Sequence, residues 1–120
     1  MTKIEKDSLN WAKKHILRKG DSDIFPRPFE LDAIIAEWDI VMQELRKNDI
    51  ETHRWAGPRR LIVPKEKHSF RIATQLDPLD SLILAAVIYQ YGNQIEERRI
   101  PTTDYRVFSH RFSPDQEGRL

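Results

Sequence analysis

The chain reads as a single α+β domain of 120 residues, and three patterns carry that reading. An apolar repeat of three and four residues runs through the first half, the period of helices that bury one face. Between Glu51 and Thr74 the repeat gives way to short β-rich runs set off by turn residues. Asp77-Pro78-Leu79-Asp80 then opens a very apolar segment, the pattern of a buried helix. The expected architecture is N-terminal helices, a three-stranded antiparallel meander, one buried helix and a short C-terminal strand. Residues 1–22 form a helical extension in this reading, and 113–120 a loose polar tail.

In order, Asp7–Leu17 places Leu9, Ala12 and Ile16 on one helical face with Trp11 beside it. Asp7 or Ser8 suits the N-cap, Lys13, Lys14, Arg18 and Lys19 suit the C-terminal half of the dipole, and Gly20 is the natural stop. Pro26 and Pro28 make the following stretch a loop, since neither donates a main-chain hydrogen bond; Ile24, Phe25 and Phe29 should pack it onto the surface. Glu30–Lys47 is expected as one helix, with Leu31, Ile34, Ile35, Trp38, Val41, Met42 and Leu45 forming its buried stripe. Strands are expected at Glu51–Ala56, Arg60–Pro64 and Ser69–Thr74, linked by Gly57-Pro58 and by Lys65–His68. Asp77 caps the next helix and Pro78 takes its first position; the helix runs to about Tyr91, with Gly92 a candidate stop, or frays toward Arg98. Tyr105–Phe112 alternates loosely, as a last strand would.

Composition excludes several classes. The chain has 39% hydrophobic and 32% charged residues, so an ordered core under a highly solvated surface is expected. A net charge of +1 leaves no uniformly basic coat, so any attraction for phosphate depends on how charge is arranged. With no cysteine there is no disulfide, thiolate metal site or cysteine nucleophile. The start of the chain lacks the apolar core of a signal peptide, and no apolar run approaches membrane-spanning length; a cytoplasmic location is the expectation. His15, His53, His68 and His110 show no metal-ligand spacing, and four glycines give little material for a phosphate-cradling loop. No metal site and no catalytic residue is assigned.

What stands out is cation density. Arg54, Arg59, Arg60, Lys65, Lys67 and Arg71 face a single acid, Glu66, between Arg54 and Leu76. Cations projecting from a small sheet can grip phosphates, and such binding weakens with salt. The plain alternative is the solvated face of a half-buried sheet. Trp55, beside Arg54, can stack on a base or pack under the hairpin. Asp77 and Asp80 are read as capping and dipole residues before they are read as cation ligands.

Two stretches resemble the fingers region of bacterial reverse transcriptases: Arg71, eight residues and Asp80 leading into an Ala/Leu-rich helix, and Ser109-His110-Arg111-Phe112. The resemblance covers roughly Asp23 to the end of the sequence and stops before any polymerase catalytic motif. It implies a fingers-like fold, Lys65 and Arg71 near the triphosphate of an incoming nucleotide, and Arg59, Arg60 and Arg111 nearer the template; Arg54, Trp55 and Lys67 complete the nucleic-acid surface. It implies that Asp80 braces the fingers and that Mg belongs only to a full-length polymerase. The partners would be an RNA or DNA template-primer and either the missing palm region or a self-associating apolar patch, around Ile95, Ile100, Val107 and Phe108. The alternative is a small non-enzymatic module that binds protein or nucleic acid through its basic sheet.

Overall fold

The computed structural model describes residues 2–19, 28–101, 103 and 111–119. Its elements are α1 (Lys6–Lys19), α2 (Phe29–Ala36), α3 (Trp38–Lys47), a 3₁₀ turn (Ile50–Thr52), β1 (Arg59–Glu66), β2 (Ser69–Gln75) and α4 (Pro78–Glu97). The class is α+β, four helices with a two-stranded antiparallel sheet. Among the described residues the sheet has two strands, not the three of the expected meander.

The core forms where α1 packs on α4. Leu9 and Ala12 of α1 and Leu82, Ile83 and Ala86 of α4 are buried, and Trp38, Met42 and Leu45 of α3 close the cluster. Each such leucine contributes about 2 kcal/mol on leaving water. The first helix therefore contributes directly to the core through Leu9 and Ala12.

Helix α4 starts as its sequence signals. Asp77 accepts the Leu79 amide at 3.1 Å, and Pro78 occupies the first turn, where its missing N–H costs nothing. It continues through Gly92 to Glu97. Gly92 is no stop: a Cβ there would overlap the ring of Phe112, so the absent side chain is the seat for that ring.

The expected helix over 30–47 breaks at Glu37, whose backbone (φ −112°, ψ 35°) leaves the helical basin. No proline or glycine marks the bend. Beyond it Trp38 donates its indole N–H to Asn10 Oδ1 at 3.0 Å and lies under Lys13 Nζ. This tertiary tie to α1 sets the direction of α3. Phe29, expected to pack, is exposed.

The expected first strand, 51–56, becomes the 3₁₀ turn and an extended stretch. Asp49 accepts the Glu51 amide, and Asp80 on α4 accepts the Ala56 amide at 2.7 Å. With that amide held by a carboxylate, the stretch adds no rung to the hairpin. The expected strand at 105–112 falls largely outside the described residues; Arg111 and Phe112 are not in a strand.

The tail is not loose over 113–119. Trp11 Nε1, Lys14 Nζ, His15 Nδ1 and Arg18 Nε reach the carbonyls of Asp115, Gln116, Gly118 and Glu117 respectively, at 2.7–3.2 Å. These four residues share one face of α1. Gly118 has φ +85° and would place a Cβ 2.6 Å from the His15 nitrogen, so only glycine fits.

Gly92→Ala provides a test by change of sign. In the native chain it should destabilise by about 1 kcal/mol, because displacing Phe112 outweighs the gain in helix propensity. In a Phe112→Ala background the same change should stabilise by up to about 1 kcal/mol. Urea unfolding of the four proteins reads both.

Candidate nucleic-acid interface

β1 and β2 pair from Arg59↔Gln75 to Glu66↔Ser69, with an irregularity between Pro64 and Glu66. Lys65 is the unpaired residue there, and such a bulge re-aims the side chain it carries. Lys67 and His68 form the tight turn.

Alternation puts Arg60, Ile62 and Pro64 on one face with Phe70, Ile72 and Thr74. Ile62, Phe70 and Ile72 are 72%, 65% and 64% exposed, so this face points into solvent. The other face carries Arg59, Leu61, Val63, Arg71, Ala73 and Gln75. It leans on the helices: Gln75 is buried, Val63 and Ala73 are half-buried, and Arg59 Nη2 donates to Glu30 Oε1 at 2.9 Å. Hydrogen bonding to its backbone and then to Arg59 holds the Glu30 carboxyl below its usual range. A two-stranded ribbon is marginal by itself, and these anchors fix its base.

The sequence-predicted cations divide accordingly. Arg54, Arg60, Lys65, Lys67 and Arg71 are exposed and make no ion pair among the described residues. A phosphate reaching them displaces no internal acid. Arg59 is tied to Glu30. Arg111 is turned inward: Nη1 meets Glu96 Oε2 at 3.3 Å, Nη2 meets the Ile100 carbonyl, and Nε is buried without a partner. It does not join the hairpin's free cations. Ser109 and His110 lie outside the described residues.

Asp80 sits in the first turn of α4 and is buried. Its Oδ1 accepts from His53 Nε2 at 3.0 Å and its Oδ2 from the Ala56 amide. The His53 ring meets Trp55 at 90°, 4.7 Å between centroids. Trp55 is 49% exposed, so about half of its surface stays in contact with water. The tie between His53 and Asp80, 27 residues apart, was not readable from spacing; the acid in the first helical turn was a signal the sequence offered.

Elsewhere, a recess of about 600 Å³ between α1 and α4 is lined by Glu5, Asp7, Ser8, Gln90 and Asn93, among others, with no cation, and does not suit phosphate. Among the described residues no three His, Asp or Glu side chains are grouped to hold a metal, and no helix is long and apolar enough to cross a membrane. Comparison of the chain with protein-family models, curated proteins and solved structures finds no match.

Two carboxylates fix 111–119 and make that attachment acid-sensitive. Glu96 takes the Phe112 amide, Arg111 and Arg99, and Asp115 takes the Arg119 and Glu117 amides. These bonds, the Phe112 and Arg119 amides first, hold both carboxyls below their ordinary values of 4.5 and 3.8. A depressed carboxyl stabilises the fold above its unfolded value, and that contribution is lost as pH falls through the folded value. The Trp11 indole N–H, bonded to the Asp115 carbonyl, should hold its NMR shift down through pH 4.5 and move toward a free position in stronger acid. An indole signal unchanged down to pH 2 would contradict this.

Proposed function

We propose that this chain is the N-terminal fingers portion of an RNA-directed DNA polymerase of the bacterial reverse-transcriptase kind, contacting the template and the phosphates of an incoming nucleotide. One observation carries the reading: an exposed hairpin bearing acid-free cations, Lys65 at the bulge and Arg71 on β2, runs directly into a helix capped by Asp77 and braced by Asp80. Such cations can neutralise triphosphate and backbone charge where a polymerase needs it. Carboxylates holding two metal ions for in-line attack would lie on the palm, so the isolated chain should incorporate no nucleotide.

An apolar strip supports the same reading. Leu84, Ile88 and Ile95 recur along α4 at helical spacing and are exposed, and Ile100 follows. A fingers fragment would bury such a strip against its palm. Val107 and Phe108, expected in the same patch, lie outside the described residues. A free-standing binding module would use the same cations but has no need of the strip.

Fluorescence anisotropy with a labelled RNA–DNA template-primer, across stepped salt concentrations, tests the proposal. Lys65→Ala and Arg71→Ala should each reduce the log–log salt slope by about 1 if each meets a phosphate. Slopes that match wild type in both variants would remove these cations from the interface.

A further inference from the structure

We propose that Trp55 is a fixed platform for an unpaired nucleobase, held in position by Asp80 and His53; this rests on reading the basic hairpin as a nucleic-acid surface. Asp80 uses both carboxylate oxygens on one short segment, His53 at one end and Ala56 at the other. Trp55 lies between those two anchors. A buried carboxylate on the core helix thus fixes the backbone around a side chain that remains half in water.

The other two tryptophans behave differently. Trp11 and Trp38 are buried, and their indole N–H groups donate to the Asp115 carbonyl and to Asn10. Trp11 is also stacked between His15 and Tyr89. Trp55 has no hydrogen-bond partner among the described residues, and its ring neighbour, His53, stands perpendicular to it. One perpendicular ring can occupy at most one face of an indole. A large apolar ring kept partly exposed by a buried polar anchor is pre-organised for a contact outside the chain.

Charge selects the occupant. From His53 to Lys65 there is no acid, and Arg54 and Arg60 flank the indole in sequence, both exposed and unpaired among the described residues. A flat apolar face on an acid-free segment that carries cations matches a polyanion made of flat rings, which is single-stranded nucleic acid. Stacking is tolerant of sequence and, unlike the phosphate contacts, does not depend on counterion release. Trp55 would add affinity that persists in salt and favours strands with bases to offer.

The experiment compares two labelled single strands of equal length and charge, oligothymidylate and its abasic counterpart, by anisotropy. Wild type should prefer the base-bearing strand by about tenfold. Trp55→Ala should abolish that preference and leave the salt slope unchanged, while Trp55→Phe keeps part of it. His53→Ala should weaken the preference, and His53→Gln, whose amide can still donate to Asp80, should restore some of it. Equal wild-type affinity for the two strands overturns the platform and leaves the cation reading intact. A Trp55→Ala variant that weakens both strands equally also overturns it, since the indole would then act only on the fold. Failure of wild type to bind either strand at low salt overturns the nucleic-acid reading and the platform with it.

Discussion

The contact between α1 and α4 is the constraint from which the rest of the molecule follows. Ala12 and Ala86 are fully buried, and short side chains at such positions let two helices approach closely. Once α4 is seated, Asp80 in its first turn is carried below the surface, where a carboxylate must be hydrogen-bonded. That requirement draws in His53 and the Ala56 amide and so fixes where the hairpin leaves the helical body. At the other end of α4, Gly92 and Glu96 receive Phe112 and Arg111.

A net charge of +1 conceals a partition. The hairpin carries Arg59, Arg60, Lys65, Lys67 and Arg71 against Glu66, whereas α2, α3 and the Glu37 bend between them carry Glu30, Asp32, Glu37, Asp39 and Glu44 against Arg46 and Lys47. α4 has three acids and no cation. The field near the hairpin is therefore set locally: α2, α3 and α4 would repel a polyanion, whereas α1, with Lys6, Lys13, Lys14, Arg18 and Lys19 against Asp7, is a second basic region. The Arg59–Glu30 pair joins the two charge regions at the hairpin base.

Much of this was legible in sequence because it is written in side-chain types. The Asp-Pro start of α4, the two strands around Lys67-His68 and the apolar face of α1 all depend on local preference and on period. The misses have a common cause. The bend at Glu37 answers to Trp38 reaching Asn10 on another helix. The strand expected at 51–56 lost the Ala56 amide to an acid 24 residues away. Gly92 has the composition of a helix stop but the job of a socket, which only the position of Phe112 reveals. The segment 115–118 looked free because its acceptors are main-chain carbonyls, which every residue type supplies alike. Among the candidate site residues, charge density marked the hairpin, but only contacts separated the tied Arg59 and Arg111 from the free cations.

The grip of α1 on residues 115–118 also has a temporal side. Its four hydrogen bonds join residues 99–104 positions apart. A ribosome makes α1 early, yet the partners of Trp11, Lys14, His15 and Arg18 emerge only after nearly all of the intervening chain. α4, which α1 needs for its core, is also late. During synthesis the part of α1 that α4 covers must therefore wait, with only α3 available to it earlier, and the core should close late.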